Sequence, residues 1–487
     1  MEDASELLAI RRAKLDKLRA LGVDPFGQAF PDVLSSSAIL AAFEEEKRVR
    51  FAGRVIAHRD MGKSHFLHLQ DESGKLQVYV QTKSMTEPQA AVFKLVDLGD
   101  FIGVDGTLFT TKTGEKTVRS ESLTFLSKAL KPLPGKWHGL QDVEQRYRQR
   151  YLDMISNPEV KDTLLLRSRI VREVRNFLEE KGFLEVETPM MQSIPGGAAA
   201  QPFVTHHNAL GIQLYMRIAP ELYLKRLLVG GCSKVFELNR NFRNEGISRK
   251  HNPEFTMLEA YWAYADYEMM AALIEELIVH LAEKFFGGPL LQHVYKDAEG
   301  QVIGEKRINL TRPWKRKKYR DCIKEAAGAD WFDLTPEARV SRAVELGVEI
   351  GSGLEDFEVS NQVFEKLVEA KAVDPLFVTH LPKELVPLAR QNSEDPSVVD
   401  VYELIINGQE ISPGYSELND PVVQRWRLQE QAGAEVQKLD EDFLEALEHG
   451  MPPAGGLGLG IDRLVMMLTG AESIRDVILF PLLKPKA

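Results

Sequence analysis

The sequence predicts an α+β protein in which a small β-barrel precedes a larger domain built on an antiparallel sheet flanked by helices. Short segments of alternating polarity recur between residues 49 and 125, with turn residues between them, which is typical of a small barrel. Residues 235–261 and 403–411 each have the pattern of an antiparallel hairpin. Helical periodicity appears between the barrel and the first hairpin, most clearly at Ile170, Val174 and Phe177.

The composition is that of a soluble globular protein. The chain has 487 residues, 44% hydrophobic and 27% charged, enough for two or three domains. Only two cysteines, Cys232 and Cys322, argue against a disulfide framework and favour a reducing compartment. Residues 1–21 lack the apolar segment of a signal peptide and no apolar run is long enough to span a bilayer, so we expect a cytoplasmic protein.

The formal net charge of -11 does not exclude a nucleic-acid partner, because binding depends on local basic surface. Two basic runs exist, one within an amphipathic helical pattern at residues 11–19 and one at residues 312–320. Each run is as compatible with a solvated face as with a nucleic-acid contact.

The segment from Val49 to about Phe125 predicts a barrel of short strands. An OB-fold is one member of this class, and it binds single-stranded nucleic acid through aromatic and hydrogen-bonding side chains on its second and third strands. The strand pattern by itself is equally consistent with a purely structural barrel. Residues 132–135 (Pro-Leu-Pro-Gly) then have the composition of a linker.

A helix, an extended segment and a mixed region follow. The helix that carries Ile170 is expected to end near Gly182, and the extended segment after it reaches Pro189. Residues 264–400 alternate helix-like segments with less regular stretches. We expect part of this region to be an insertion packed on the larger domain.

The first hairpin places chemically active side chains on one face. Side chains alternate along a strand, so Phe255, Glu259 and Tyr261 share a face, and Arg243 and Glu245 share a face on the partner strand. Together they offer a ring for stacking, a guanidinium for phosphate or carboxylate, and two acids. An isolated Arg-x-Glu is more often an ordinary ion pair, so the prediction depends on the joint pattern.

The second hairpin predicts a pair of neighbouring carboxylates. Asn407-Gly408 indicates a two-residue turn, which places Ile405 opposite Glu410 and makes Glu403 a diagonal neighbour of Glu410, roughly 7 Å away. Two such carboxylates repel unless a cation lies between them, and Mg²⁺ held by carboxylates and nucleotide phosphates fits this arrangement. Two solvated acids on an exposed face are the alternative. Pro413-Gly414 is expected to break the second strand.

Residues 242–246 (Phe-Arg-Asn-Glu-Gly) and 251–256 (His-Asn-Pro-Glu-Phe-Thr) resemble motif 2 of class II aminoacyl-tRNA synthetases, in the form carried by lysyl-tRNA synthetases. Residues 455–463 are similar to motif 3, and residues 169–189 to motif 1. The resemblance extends over nearly the whole chain. It implies a helical extension at 1–47, an anticodon-binding OB-fold at 48–134 and a class II catalytic domain at 135–487, in which about 265–400 contain an inserted or peripheral helical part.

The resemblance implies that L-lysine is activated with ATP to lysyl-adenylate and pyrophosphate and then transferred to the 3′-terminal adenosine of tRNA(Lys). Arg243 and Arg463 would be the catalytic residues, and adenine would lie between Phe255 and Arg463, where the small residues of 455–460 leave room for a flat ring. The implied ATP-binding residues are Arg243 (α-phosphate), Glu245 (adenine edge), His251 (outer phosphates), Asn252, Phe255, Glu403, Glu410 and Arg463, with Mg²⁺ held by Glu403 and Glu410.

The resemblance also implies a lysine pocket. Its implied residues are Gly197 and Glu221 for the α-ammonium, and Glu259, Tyr261, Tyr415 and Glu417 for the side chain. A buried ammonium is costly unless it is paired, and Glu417 with the Tyr261 hydroxyl would compensate it. Two positions depart from the family pattern: Gln201 stands where a basic residue is usual, and Pro413 replaces an asparagine that contacts the substrate carboxylate.

In the barrel, Phe66 and Gln77 match family positions that stack on and hydrogen-bond to anticodon bases. A further family glutamate aligns with Ser122, next to Glu121. The resemblance of residues 169–189 to motif 1 implies a homodimer, because this unit forms the dimer interface of class II synthetases.

Three other functions fit parts of the sequence. An aspartyl- or asparaginyl-tRNA synthetase shares the domain layout, but its pocket needs a cation where Glu417 lies. An enzyme that attaches a lysine isomer to a protein resembles the catalytic domain but lacks the barrel. A synthetase-derived regulator binds tRNA without catalysis, and such proteins usually lose the ATP or metal residues that this chain retains.

Overall fold

The computed structural model describes residues 2–485 except 28, 135–139, 199, 297–300, 387 and 433–438. The chain forms two compact units, residues 1–139 and 140–487. The finer boundaries given above stay predictions, and Gly135 of the predicted linker lies outside the described residues. Over the described part of the chain, no helix combines the length and the apolar character needed to cross a bilayer.

The first unit contains a closed five-stranded barrel, as predicted. Its helices and strands are α1 (Glu2–Ala20), α2 (Ser36–Ala41), β1 (Arg48–Asp60), β2 (Ser64–Gln70), β3 (Lys75–Gln81), α3 (Glu87–Phe93), β4 (Phe101–Thr110) and β5 (Lys116–Ser127). The strand order is β1-β2-β3-β5-β4. Alternate residues of the strands, such as Leu67, Val78 and Val104, fill the interior because side chains of a strand point to opposite faces.

Helix α1 packs through part of its basic run. Leu15 and Leu18 are buried, and the Arg11 guanidinium donates hydrogen bonds to the backbone oxygens of Leu98 and Ala129 at 2.9 and 2.8 Å. Arg11 therefore serves packing rather than a free basic surface, whereas Arg12, Lys17 and Arg19 of the run remain exposed.

The second unit is built on an eight-stranded sheet covered by helices. Its elements are α4 (Val143–Arg148), α5 (Arg150–Ser156), α6 (Pro158–Glu180), β6 (Leu184–Glu185), β7 (Met191–Gln192), β8 (Val204–His207), β9 (Ile212–Met216), α7 (Glu221–Val229), β10 (Lys234–Phe242), β11 (Glu254–Ala263), α8 (Tyr267–Phe286), β12 (Leu290–Lys296), β13 (Val302–Asn309), β14 (Lys315–Lys318), α9 (Tyr319–Ala327), α10 (Pro336–Glu345), α11 (Asp356–Leu367), β15 (Leu376–Thr379), β16 (Val401–Ile406), β17 (Gln409–Ser416), α12 (Pro421–Ala432), α13 (Glu441–Glu448), β18 (Ala454–Gly460), α14 (Ile461–Thr469) and α15 (Ile474–Val477). The sheet order is β14-β15-β16-β17-β18-β11-β10-β6, antiparallel except for the β14–β15 and β10–β6 pairs at its two edges.

The predicted helix is α6, and it ends at the predicted place. Gly182 follows it with φ +81°, a conformation that favours glycine just after a helix. Ile170, Val174 and Phe177 of α6 are buried in the main core of the sheet. Helix α6 therefore packs against one face of the sheet.

The region expected to contain a peripheral part divides in two. Helix α8 lies in the main core, whereas α9 and α11 contribute to a second hydrophobic cluster that contains Tyr319, Trp331 and Phe364. Three of the six basic residues in the run at 312–320 pair with acids of this unit. Arg312 pairs with Glu275 at 3.2 Å, Arg316 pairs with Glu268, and Lys317 pairs with Glu325.

The expectation that Pro413-Gly414 breaks the strand is wrong, because β17 runs through both residues. The pairing of β16 with β17 shifts two residues before Pro413, from Ile405 opposite Glu410 to Leu404 opposite Ser412, and Pro413 itself is opposite Glu403. A proline has no N–H to donate to the ladder, and prolines within sheets are found mainly at edges and near irregularities such as this one. Gly414 is required by packing, since a Cβ at this position would lie 2.4 Å from the Tyr402 ring.

Candidate active site

Two adjoining cavities lie in the second unit, with volumes of about 450 and 280 Å³. Arg243, Met257, Pro413 and Tyr415 line both of them. The larger cavity is also lined by the predicted lysine-binding residues Gly197, Glu221, Glu259 and Tyr261, and the smaller one by the predicted ATP-binding residues Glu245, His251, Asn252, Phe255, Glu410 and Arg463. Segments that are far apart in sequence therefore meet at these cavities, but the predicted residues Glu403 and Glu417 are not among the described residues that line either one.

The first predicted hairpin is present as β10 and β11, with Phe242 opposite Glu254. The backbone N–H of Arg243 donates to the backbone oxygen of Pro253 at 2.9 Å, which extends the pairing beyond β10. The Arg243 guanidinium lies 5.1 Å from the centre of the Phe255 ring. Such a cation–π contact fixes the guanidinium where the two cavities meet.

Arg463, in the first turn of α14, joins the smaller cavity to β17. Its Nη1 donates to the backbone oxygen of Glu410 at 3.0 Å, and its Nη2 lies 3.2 Å from Nε2 of His251. Burial and the neighbouring Arg463 lower the pKa of His251, so the imidazole is neutral at pH 7 and accepts this hydrogen bond.

Asp462 and Arg167, which the sequence reasoning missed, anchor this arrangement. The buried Asp462 accepts hydrogen bonds from the backbone N–H of Thr256 at 2.8 Å and from Nη1 of Arg167 at 2.5 Å. The hairpin strand β11, helix α14 and helix α6 are thereby connected. Asp462 stands beside Arg463 in the motif 3 segment, which is the sequence signal that could have identified it.

Glu259 and Tyr261 form a buried pair in the larger cavity. The Tyr261 hydroxyl donates to Oε2 of Glu259 at 3.1 Å. Burial, with a contribution from Glu221, raises the pKa of Glu259 to about 8. The Glu259 carboxyl is therefore mainly protonated at neutral pH in the ligand-free protein.

Lys225 is a charged residue of this region that the sequence reasoning missed. Its Nζ lies 2.6 Å from Oε1 of Glu221 and 2.6 Å from Oε2 of Glu417. The sequence predicts that Glu417 and the Tyr261 hydroxyl face a substrate ammonium together. In the structure, Glu417 is paired with Lys225, while Tyr261 is bonded to Glu259. The i,i+4 spacing of Glu221 and Lys225 on a helix is the signal that could have revealed this ion pair.

Only some of the glycines in β18 border open space. A Cβ on Gly456 would lie 1.9 Å from Oε1 of Glu417 and 2.7 Å from the Tyr261 ring, so protein atoms already occupy that position. Gly458 and Gly460 line the larger and the smaller cavity, respectively. The predicted room for a flat ring is therefore restricted to the C-terminal part of the strand.

The predicted acid pair lies on the β16–β17 hairpin. Ile405 is opposite Glu410 as predicted, but the register shift places Glu403 opposite Pro413. Burial and then Glu410 raise the pKa of Glu403 well above its usual value, and Glu369 and Glu365 add to this effect. The last two acids, in α11 and the turn after it, were missed because nothing local in the sequence links them to the hairpin.

The acid pair has the chemistry of a Mg²⁺ site. All donors are carboxylate oxygens, and their mutual repulsion is relieved by a bound cation. In the described part of the chain, no three His, Cys, Asp or Glu side chains are grouped so that they could hold a metal ion by themselves. An ion held by these two carboxylates could complete its coordination with water or phosphate oxygens.

The predicted nucleic-acid residues lie together on the barrel. Phe66 is half-buried, with its ring centre 5.1 Å from that of Tyr79. The Gln77 side chain donates to Oε2 of Glu115 at 2.7 Å and accepts from the Thr117 hydroxyl at 2.8 Å. The acid beside Gln77 is therefore Glu115.

The resemblance to the family predicts this acid at Ser122, next to Glu121. Glu121 is paired with Arg48, and the Ser122 hydroxyl donates to Asp105 at 3.1 Å. Neither side chain is bonded to Gln77. Glu115 cannot be identified from the local sequence, because only the pairing of β3 with β5 brings it to this face.

The two departures from the family pattern have different surroundings. Gln201 is exposed, and its backbone oxygen accepts a hydrogen bond from the Asn244 N–H at 2.8 Å. Pro413 lines both cavities next to Met257 and Gly458. Only the second departure changes a side chain that lines both cavities.

Comparison with known proteins agrees with both units. Residues 142–484 match the family of class II tRNA synthetases (D, K and N), and residues 49–126 match the OB-fold nucleic acid binding domain. Lysine–tRNA ligases from Carboxydothermus hydrogenoformans and Pelotomaculum thermopropionicum are 51% and 52% identical to the chain, over all of it and over 99% and 96% of their own lengths. The lysine–tRNA ligase of Bacillus subtilis is 48% identical, over all of the chain and 98% of its own length. The chain therefore belongs to the lysine–tRNA ligase family of class II tRNA synthetases.

Proposed function

We propose that the protein activates L-lysine with ATP, releasing pyrophosphate, and transfers lysine from the adenylate to the 3′-terminal adenosine of tRNA(Lys). The observation that carries this proposal is an acid-lined cavity, with Glu221 and Glu259 in its wall, that shares Arg243 with a second cavity containing Arg463. The first cavity suits a substrate with two ammonium groups, and the second suits a nucleotide. The names of the similar proteins support the same reaction.

In this proposal the substrate carboxylate attacks the α-phosphorus of ATP, and pyrophosphate leaves. No protein nucleophile takes part, so the rate comes from positioning and from stabilisation of developing charge. Arg243 is suited to the α-phosphate because it lines both cavities. Adenine lies between Phe255 and Arg463, with Glu245 at its edge, and His251 and Asn252 are placed near the remaining phosphates.

The lysine side chain occupies the larger cavity. Gly197 and Glu221 bind its α-ammonium, and Glu259, Tyr261, Tyr415 and Glu417 surround the rest of the substrate. Because Glu417 is buried, water screens its attraction for an ammonium only weakly, although Lys225 shares that attraction. An aspartate or asparagine substrate has no such ammonium to place there.

Glu403 and Glu410 hold Mg²⁺ in this proposal. A bound ion would supply positive charge against the phosphates of ATP. Of the two carboxylates, Glu410 lines the smaller cavity.

The barrel contributes recognition of tRNA(Lys). A half-buried aromatic side chain beside a hydrogen-bonding amide is the combination that binds an unstacked base, and Phe66 and Gln77 supply it. The helical extension, the barrel and the catalytic domain keep the boundaries that the resemblance implies.

A homodimer is the proposed assembly and the cytoplasm the proposed location. Large apolar side chains are exposed in the segment that follows α6, namely Leu184, Met191, Val204, Leu210 and Ile212. Contiguous exposed apolar surface commonly marks a protein interface. Cys232 and Cys322 are both free thiols, in keeping with a reducing compartment.

Amino-acid-dependent exchange of pyrophosphate into ATP tests the proposed function. The purified protein is assayed with each of the twenty amino acids in turn, and exchange with lysine alone is the expected result. Exchange with aspartate or asparagine would identify a related synthetase instead. Absence of exchange with all twenty, together with retained binding of tRNA, would identify a regulator.

A further inference from the structure

Lys225 is completely buried, yet it carries two ion pairs. It lies on α7 one turn after Glu221, and its Nζ is 2.6 Å from a carboxylate oxygen of Glu221 and of Glu417. Glu221 begins α7, whereas Glu417 follows β17. One ammonium group thus connects two acids that belong to separate elements.

The Glu417 carboxylate has little freedom to move away from Lys225. Gly456 allows its approach, since a Cβ there would lie 1.9 Å from Oε1 of Glu417, and the Tyr261 ring closes the same space. The position of this carboxylate is therefore set by Lys225 on one side and by the β18 backbone on the other.

The charge of the pocket depends on Lys225. Although burial lowers it, the ion pairs with Glu221 and Glu417 raise the pKa of Lys225 above its usual value, so its ammonium stays charged. Burial raises the pKa of Glu417 to about 7, an effect that Lys225 opposes and Glu221 strengthens. The phenols of Tyr261 and Tyr415 lie near Glu417. Both stay neutral, because burial raises their pKa.

Resting on the proposed lysine-activating function, we propose that Lys225 is a positioning and specificity residue. Its ammonium favours the carboxylate form of Glu417 and sets the position of that carboxylate beside Tyr261, which lines the larger cavity, so the site selects a cationic side chain over a neutral one with the same carbon skeleton. Without Lys225, burial and Glu221 would drive Glu417 to take up a proton at neutral pH. A protonated Glu417 offers no charge to a substrate ammonium.

The test compares Lys225→Met with the wild type in lysine-dependent pyrophosphate exchange between pH 6 and pH 9. Norleucine, which has the carbon skeleton of lysine but no ε-ammonium, serves as a competitive inhibitor. We expect Lys225→Met to raise the KM for lysine at pH 7 by roughly tenfold or more, since one pKa unit is a factor of ten. We expect this defect to shrink as the pH rises, while the Ki for norleucine and the KM for ATP change by less than about twofold.

Lys225→Gln is the second variant, because an amide can still donate hydrogen bonds to both carboxylates while lacking the charge. It should show the same loss of preference for lysine over norleucine, and Lys225→Arg should restore part of that preference. Equal losses for lysine and norleucine at every pH would show a merely structural role and overturn the proposal, as would an unchanged KM for lysine. If the wild type does not activate lysine, the proposed function itself fails, and this outcome is separate from the behaviour of the variants.

Discussion

The Arg463 guanidinium donates a hydrogen bond from Nη1 to the backbone oxygen of Glu410 at 3.0 Å and lies 3.7 Å from the Glu410 carboxylate. This contact joins the residue assigned to the nucleotide with the residue assigned to the metal ion. The two belong to α14 and β17, which are separated along the chain by α12, α13 and β18. With the proposed assignments, a nucleotide and a cation would contact one connected group of side chains.

Arg243→Ala should abolish lysine-dependent pyrophosphate exchange. Arg243 lines both cavities, so its loss removes positive charge next to the reacting phosphorus, and a decrease of kcat by roughly 10²–10³ is expected. Circular dichroism and the melting temperature should stay close to those of the wild type. Arg307→Ala, at an exposed position of β13, is the matched control and should be fully active. Retained exchange in Arg243→Ala would refute the role assigned to this arginine.

Glu410→Gln should raise the Mg²⁺ concentration that gives half-maximal exchange by roughly tenfold or more, because a neutral amide is a poorer ligand than a carboxylate. The measurement is a Mg²⁺ titration of exchange at saturating ATP and lysine. Glu305→Gln, at an exposed position of β13, is the control with an unchanged titration. An unchanged Mg²⁺ dependence of Glu410→Gln would show that this carboxylate does not hold the ion.

Glu259→Gln should change the pH dependence of stability. Burial raises the pKa of Glu259 to about 8, so between the usual carboxyl range and pH 8 the folded state binds a proton that the unfolded state has lost. This group therefore makes the wild type lose stability as the pH rises from about 4.5 to about 8. The melting temperature of Glu259→Gln should gain on that of the wild type across this window and then level off.

Thermal unfolding of the ligand-free protein at several pH values measures this difference. Glu254→Gln, at an exposed position of the same strand, is the control and should keep the wild-type pH dependence. A constant difference between Glu259→Gln and the wild type at all pH values would contradict a raised pKa of Glu259.

Gly456→Ala should weaken lysine binding and lower the melting temperature. The added Cβ would lie 1.9 Å from Oε1 of Glu417 and 2.7 Å from the Tyr261 ring, so both side chains must move from their positions in the pocket. The KM for lysine should rise much more than the KM for ATP. Gly304→Ala is the control, since the nearest atom to its Cβ would be 3.8 Å away. Normal lysine kinetics in Gly456→Ala would show that the position of Glu417 is unimportant.

Phe66→Ala should impair charging of tRNA without affecting amino-acid activation. Stacking of a base on an aromatic ring contributes about 1–3 kcal/mol, so a lower kcat/KM for tRNA(Lys) is expected while pyrophosphate exchange stays normal. Phe26→Ala, at a residue that is 53% exposed in the same unit, is the control. Equal charging by Phe66→Ala and the wild type would exclude Phe66 as an anticodon contact.

Local patterns sufficed for much of the fold. Asn407-Gly408 specified a two-residue turn, and Ile405 is opposite Glu410 as predicted, because both residues adopt the positive φ that this turn requires. The path of β17 through Pro413 was not predictable in this way, because the pairing of Pro413 with Glu403 and the register shift two residues earlier are set by the neighbouring strand. Local sequence indicates only that a proline cannot donate to the ladder of hydrogen bonds.

The sequence by itself determined the family, the order of barrel and synthetase domain, and many of the side chains that line the two cavities, though Glu403 and Glu417 are not among the lining residues. These features can be predicted because each motif is a continuous stretch of sequence, so its residues and their spacing are visible without the structure. Only the tertiary structure decided which acids are paired and which are protonated, as Lys225 between Glu221 and Glu417, Glu115 beside Gln77, and Glu365 and Glu369 near Glu403 demonstrate. The physical reason is that charge and burial act through distance in space, so the state of a carboxylate is set by neighbours that the order of the chain does not reveal.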